Sequence, residues 1–437
     1  MPKDLFKPHD VVDARDPEAR PVLFNGAVEG HVLVKHTKNT LPLKKPRLLS
    51  IFGYASKTPD LYAPLKDVIL GQSWISGAEP INAMDVVEGY ISAPDPKFPV
   101  IGKNGTMLSG GGSGATAPAN FISPFEALRQ RTYADGTAIF NDFLSANADV
   151  HPASDACLVF GNAWSTEGHD RPFLQDNYTD TLIKSVADQC NKTIVIFQNA
   201  GPRLVDEFVD HPNVTAIIFA HLPGQDIGPS IVSLLYGESN FSGKLPYTVG
   251  KKESDYGELL NPTSPEGKYK DYPQSNFTEG VYTDYKYFEK HNTTPRYEFG
   301  FGLSYTTFSI TNLQIKPLPG ARTDEYPAGA VVTGGQADLF DDLYYVTAEV
   351  TNTGKAAGAE VVQLYAGIPN GPGKQLRGFE KRHLAPGEKV TVTLALNRRD
   401  LSTWNTEKQK WQLQRGEYDV FVGNSSKQLP LKGKIKL

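Results

Sequence analysis

Two cysteines in 437 residues, Cys157 and Cys190, are too few for a disulfide framework, so buried surface must hold this chain together. No apolar run approaches the roughly twenty residues needed to cross a bilayer. Behind the charged start Met1-Pro2-Lys3-Asp4 there is no apolar core of a signal peptide. Basic residues are not in excess: 44 Lys and Arg stand against 49 Asp and Glu, a net charge of −5, which gives no electrostatic reason to expect nucleic acid or a membrane as partner. No His/Cys/Asp cluster has metal-ligand spacing. The glycine stretch Gly110-Gly111-Gly112-Ser113-Gly114 lacks the lysine and spacing of a phosphate cradle. Neither a metal nor a cofactor is expected.

What is present is turn chemistry and strand-forming runs. Forty glycines and 32 prolines mark a loop-rich chain, long enough for two or three domains. The runs Leu48 to Phe52, Ala156 to Phe160, Thr193 to Phe197 and Ala216 to Phe219 are apolar throughout, as in strands buried on both faces. Between them the pattern predicts helices at Ser123 to Arg131, Asp176 to Cys190, Leu204 to Val209 and Gly228 to Tyr236. Such alternation gives crossover units in a mostly parallel sheet, an α/β domain. Cys157 opens one run and Cys190 precedes the next, so a bridge and two buried thiols both fit.

Beyond Phe308 the period changes to two: Val346, Ala348 and Val350, then Val390, Val392 and Leu394, then Tyr418, Val420 and Val422 alternate with polar residues. This predicts an all-β, antiparallel, immunoglobulin-like sandwich. The Gly-, Pro- and Asp-rich stretch from Pro317 to Asp341 reads as a linker or insertion. The first forty-odd residues, with a helix expected from Leu23 to His36, are too few for a core of their own.

Eight N-x-S/T acceptors, at Asn104, Asn177, Asn191, Asn213, Asn240, Asn276, Asn292 and Asn424, exceed the roughly three that chance would give. They point to a glycoprotein of the secretory pathway, secreted or extracellular, whose targeting segment is not in this chain.

The candidate chemistry lies in Ser165-Thr166-Glu167-Gly168-His169-Asp170-Arg171, just past the run that begins at Cys157. The carboxyl ends of strands are where open α/β sheets bind ligands. Loops at Asn199-Ala200-Gly201-Pro202 and His221-Leu222-Pro223-Gly224-Gln225-Asp226 belong to the same edge.

Several strings, in order, carry a family resemblance: Asn39-Thr40-Leu41-Pro42-Leu43, Leu222-Pro223-Gly224-Gln225-Asp226, Gly243-Lys244-Leu245-Pro246-Tyr247-Thr248, Tyr297-Glu298-Phe299-Gly300-Phe301-Gly302-Leu303-Ser304-Tyr305-Thr306, Gln375-Leu376-Arg377-Gly378-Phe379 and Arg399-Asp400-Leu401-Ser402. The chain resembles the carboxyl-terminal two-thirds of a fungal glycoside hydrolase family 3 enzyme of the β-glucosidase type. The resemblance implies a remnant or linker over 1–44, the family's α/β domain over 45–308, a linker or insertion over 309–341 and a fibronectin type III-like domain over 342–437. It also implies a retaining hydrolase that releases terminal β-D-glucose from glucosides or cello-oligosaccharides, in cellulose and polysaccharide degradation.

In that family the nucleophilic aspartate belongs to an amino-terminal barrel and the general acid/base glutamate to the α/β domain. The carry-over places the acid/base at Glu167, its pKa raised by enclosure. Trp164 and His169 become candidate sugar contacts, although smaller or acidic residues are usual at the first position and an aromatic at the second. No string matches the nucleophile motif, so the chain by itself is expected not to hydrolyse glycosides. Its partners would be β-linked glucosides or oligosaccharides and a separately encoded barrel. The alternative is a non-catalytic carbohydrate-binding or interaction module derived from such an enzyme. β-Xylosidase specificity is a further possibility within the family.

Overall fold

The computed structural model describes residues 15–59, 101–110, 120–165, 167, 171–260, 267–272 and 277–437. The first unit is built on a six-stranded sheet. Its strands are β1 (Val32–His36), β2 (Leu48–Phe52), β3 (Ala138–Asp142), β4 (Ala156–Ala163), β5 (Thr193–Asn199) and β6 (Val214–Phe219), in the spatial order β1-β6-β5-β4-β2-β3. All neighbours pair in parallel except β1, which runs antiparallel to β6.

Every residue of β4, β5 and β6 is buried, because alternate side chains serve two cores. Leu158, Phe160, Ile194 and Ile196 face Leu128 of α2 (Pro124–Asp135) and Ile231 and Leu235 of α4 (Ile227–Leu235). Cys157, Val159, Val195 and Phe197 face Leu182, Ile183 and Val186 of α3 (Asn177–Gln189). Local signals set the helix ends. Ser123 and Glu126 form a reciprocal capping box before α2, Gly136 closes it in the left-handed region, and Asp176 caps α3 through the Thr179 N–H. Cys157 and Cys190 are disulfide-bonded, with Cα atoms 6.4 Å apart, tying the start of β4 to the end of α3.

Three expectations are corrected. Residues 23–36 are not one helix: α1 (Ala19–Gly30) ends at His31, and the β-rich Val32-Leu33-Val34 enters the sheet. The segment 1–44 is therefore not outside the domains, since its last part supplies an edge strand that buries Val32, Leu33 and Val34. Leu204 to Val209 forms hydrogen-bonded turns rather than a helix, with Val205 and Phe208 buried and the Phe208 and Val209 N–H groups both bonded to the Val205 carbonyl. Strand β3, whose burial is only partial, escaped the sequence pattern because it sits at the sheet's edge.

The second unit is a sandwich of a three-stranded sheet, β13-β10-β7, on a four-stranded sheet, β12-β11-β16-β17. Its strands are β7 (Phe308–Pro317), β10 (Asp342–Asn352), β11 (Gly358–Gly367), β12 (Gln375–Leu384), β13 (Lys389–Asn397), β16 (Glu417–Gly423) and β17 (Leu431–Lys436). Small hairpins β8 (Val331–Val332) with β9 (Gly335–Gln336) and β14 (Ser402–Asn405) with β15 (Lys410–Leu413) decorate it. The expected inward residues Val346, Ala348, Val350, Val392, Tyr418, Val420 and Val422 form the core. The expected linker over 309–341 is corrected as well. Its first part is β7, and the following stretch is pinned by buried Arg398, whose guanidinium donates to the Arg322 and Asp324 carbonyls at 2.7 and 2.6 Å.

The two units share a packed junction. Asn240 Nδ2 donates to the Ala357 carbonyl at 2.9 Å, Gln363 Nε2 to the Gly300 carbonyl at 3.1 Å, and the Leu376 N–H to Tyr285 Oη at 2.9 Å. Tyr285 stands at the start of α5 (Tyr285–Lys290).

Candidate active site

The loops singled out in the sequence do emerge at one edge. Gly53 follows β2, Trp164 to Arg171 follow β4, Asn199 to Pro202 follow β5, and Ala220 to Asp226 follow β6. Because β1 is antiparallel, with Val32 opposite Phe219, His31 enters at the same rim. The rim is tightly built. Gly53 has φ +93°, and a Cβ there would lie 2.1 Å from the Phe160 carbonyl oxygen, so the turn requires glycine. The first residue of the glycine stretch also lies here: a Cβ at Gly110 would sit 3.6 Å from the Ser165 carbonyl oxygen. The Gly224 N–H donates to the Leu108 carbonyl at 3.0 Å, and buried Asn162 Nδ2 donates to the Gly102 and Gly105 carbonyls at 2.6 and 2.8 Å.

Glu167 stands in a turn on this rim, exposed to solvent. That exposure contrasts with the enclosure expected at this residue. Trp164 does not present a ring to a sugar: it is 5% exposed and packs against fully buried Met107, so the residue fastens the loop's beginning. His169 lies outside the described residues.

The loop's far end is held by Arg171, which sequence reasoning passed over although it lies in the same heptapeptide. Its guanidinium donates to the Pro202 carbonyl, and its Nε and Nη1 are buried without a partner among the described residues. Burial, with Arg203 close by, lowers this guanidinium to about 10. Arg203 is itself buried and bonds Asp180 at 2.5 Å and Asp176 at 3.2 Å, joining the β5 loop to the start of α3.

A second network stiffens the β6 side. His221 Nδ1 lies 2.9 Å from the Gly30 carbonyl, which can only accept, so that nitrogen carries the proton. Its Nε2 then accepts from Tyr247 Oη at 2.9 Å, and Asn199 Nδ2 donates to the same phenol oxygen at 2.6 Å. The ring closes where the His221 N–H donates to Asn199 Oδ1 at 3.2 Å. Burial holds the His221 imidazole below its usual pKa. No sequence signal pairs these residues, because the contacts join positions far apart in the chain.

Asp226 also belongs to this rim, but it is buried and ion-paired with Arg20 at 3.3 Å, a structural commitment rather than a nucleophile on offer. Among the described residues no group of three His, Cys, Asp or Glu could hold a metal ion, and no helix is long and apolar enough to cross a membrane. Among the described residues, the rim thus presents the Glu167 carboxyl on a turn whose flanking residues Trp164 and Arg171 are held, which suits proton transfer.

The acceptor asparagines divide by environment. Asn177, Asn191 and Asn292 are exposed. Asn213, Asn240 and Asn424 use Nδ2 to donate to the Ala187 carbonyl, the Ala357 carbonyl and Glu360, at 2.9, 2.9 and 3.2 Å. The Asn104 Nδ2 is buried, and Asn276 lies outside the described residues.

Residues 31–305 match the glycosyl hydrolase family 3 C-terminal domain, and residues 360–426 match the fibronectin type III-like domain. "Probable beta-glucosidase M" of Aspergillus niger is 49% identical over all of this chain and 54% of its own length. The protein of the same name in Aspergillus fumigatus is 50% identical over all of this chain and 53% of its own. The chain thus spans about half the length of these relatives. The beta-D-glucoside glucohydrolase of Trichoderma reesei superposes with a TM-score of 0.80 at 31% identity, over 96% of this chain and 56% of that one. For a beta-glucosidase of Chaetomella raphigera the figures are 0.81, 32%, 96% and 55%. The α/β domain, the sandwich and their order agree with the resemblance drawn from the sequence strings, and the chain belongs to glycosyl hydrolase family 3.

Proposed function

We propose that this chain carries the general acid/base half of a retaining β-glucosidase site, with Glu167 as the acid/base. The observation that carries the reading is the placement of Glu167 on a turn at the carboxyl rim of the sheet, between buried Trp164 and half-buried Arg171. A retaining hydrolase sets its two carboxyl groups about 5–5.5 Å apart, one attacking the anomeric carbon and the other protonating the departing oxygen. With the nucleophile supplied by a barrel domain outside these 437 residues, docking over the rim would also provide the enclosure that Glu167 lacks here. The substrate class is terminal β-linked glucose, as the relatives' names suggest. The sequons and the Cys157–Cys190 bridge support a secreted protein, since disulfides persist in oxidising compartments.

The test uses chromogenic β-glucosides. The chain alone gives no turnover above background; joined to the family's barrel it hydrolyses them. In the active form, Glu167→Gln lowers kcat about 10²–10⁴-fold for a poor leaving group, with a far smaller loss for an activated phenol that departs unprotonated. Equal losses on both substrates would remove Glu167 from the acid role. Turnover by the chain alone would require a nucleophile within it.

A further inference from the structure

A row of buried polar side chains runs across the sheet just beneath the rim. Asn162 on β4 is in register with Gln198 on β5. One step beyond the Phe197–Phe219 pair, Gln198 stands beside Ala220, and Ala220 stands beside His31, one step before the Val32–Phe219 pair. Their neighbours Gly161, Phe197, Phe219 and Val32 point to the α3 side. Alternation therefore places Asn162, Gln198, Ala220 and His31 together on the other face, where Ala220 joins the core cluster of α1, α2 and α4. All four are at most 2% exposed.

Among the described residues, several polar atoms of this row find no protein partner. Asn162 Oδ1, both Gln198 amide atoms and His31 Nε2 are buried without a hydrogen-bond partner, and so is Oδ2 of Asp226 in the loop above. Leaving such groups unmet costs about 1–3 kcal/mol each, more than a marginally stable fold gives up for nothing. The neighbouring strands are about 4.8 Å apart, and alanine between two long polar residues leaves space instead of filling it.

The donor and acceptor balance identifies the occupant. His31 Nδ1 faces the Ala27 carbonyl at 2.5 Å and so bears the proton, which makes Nε2 an acceptor. Asn162 Oδ1, Gln198 Oε1, His31 Nε2 and Asp226 Oδ2 are four acceptor atoms against the two N–H donors of Gln198 Nε2. The only charge among them, Asp226, is already paired with Arg20. A cation is thus not demanded by charge, and a neutral ligand rich in donors is. We propose that a short file of ordered water molecules lies along Asn162, Gln198, Ala220 and His31 and forms an integral part of the platform under the Glu167 loop. Two waters donate four hydrogen bonds and accept the two from the Gln198 amide group, which matches the set. Buried water in proteins typically makes about three such bonds.

A crystal structure of the full chain at about 1.6 Å tests this, supported by water-oxygen relaxation dispersion in solution, which counts long-lived internal waters. At least two ordered waters within hydrogen-bond distance of Gln198 and its row neighbours are expected. Gln198→Met, which keeps the side chain's length and removes both polar atoms, should lose at least one long-lived water and speed amide exchange at least tenfold in 162–164 and 220–222. Ala220→Val, which fills the gap, should expel water in the same way. Direct pairing of the row's polar atoms in a dry interior overturns the proposal. So does an anomalous peak there after a rubidium soak, or an unchanged water count in both variants.

Discussion

Lys244 of the α/β domain and Glu360 of the sandwich form an ion pair at 2.7 Å in which both side chains are largely buried, 12% and 6% exposed. Glu360 is further committed, accepting from the Val361 N–H at 2.8 Å and from Asn424 Nδ2 at 3.2 Å. Removing one partner of such a pair strands a buried charge, at a typical cost of about 3–5 kcal/mol. Lys244→Met should therefore destabilise the chain by about that amount in urea unfolding, and limited proteolysis should cut between the domains. Lys244→Met with Glu360→Leu should recover most of the loss, because no lone charge remains. A single variant as stable as the double would mean that the pair is solvated in solution.

The parts of this fold that could be read from sequence share one property: the side chains that define them follow a local period. Continuous apolar runs gave β2, β4, β5 and β6, and period two gave the sandwich. Strand β1 was missed because its five residues follow a helix with only His31 between, and its pairing with β6 is a long-range event. Arg398 shows the same limit, since a distant guanidinium orders a stretch whose composition reads as linker. At the site, the loop proposed to carry the acid/base was legible by its motif. Its supports were not: Trp164 looks like a sugar contact until Met107 covers it, and the bond between Arg171 and Pro202 exists only in the folded chain.

The eight sequons are not equivalent acceptors. Transfer bonds the asparagine nitrogen to a sugar, and that nitrogen is engaged in Asn213, Asn240 and Asn424 and buried in Asn104. Glycopeptide mapping of chain secreted from a fungal host should find sugar among Asn177, Asn191 and Asn292, and none at those four. A fully occupied Asn240 would contradict this, because its nitrogen lies at the junction between the domains.

His31 should make the α/β domain acid-sensitive. Burial pulls its imidazole from 6.5 to about 4 in the folded chain, with the Ala27 carbonyl opposing and His221 assisting. The folded state thus takes up its proton later than the unfolded chain. Nothing is lost above pH 6.5, stability falls as pH drops from 6.5 towards 4, and the loss is complete below that. At about 1.36 kcal/mol per unit, the loss reaches about 3 kcal/mol. Unfolding free energies at pH 7, 5.5 and 4 should show this decline, and His31→Gln should remove its share of the slope. Parallel pH profiles for the two proteins would show that His31 does not titrate in this range.

Arg171 offers a test that separates positioning from stability. Its guanidinium is buried with two nitrogens unmet, so folding gains little from keeping it, and replacing a buried charge by an apolar chain of similar length is often neutral. Arg171→Met should therefore change unfolding free energy by less than about 1 kcal/mol. Its activity in the barrel-joined enzyme should behave differently. Without the bond to the Pro202 carbonyl the far end of the Glu167 turn is loose, and misplacement by about 1 Å can cost about 10²-fold in rate. The loss should fall on kcat rather than KM, be larger for poor leaving groups than for activated ones, and shift the limb of the pH profile that reports the acid. Arg171→Lys, which keeps a donor, should restore part of it. A variant that unfolds early and loses activity equally on every substrate would make Arg171 a residue of the core and not of the site.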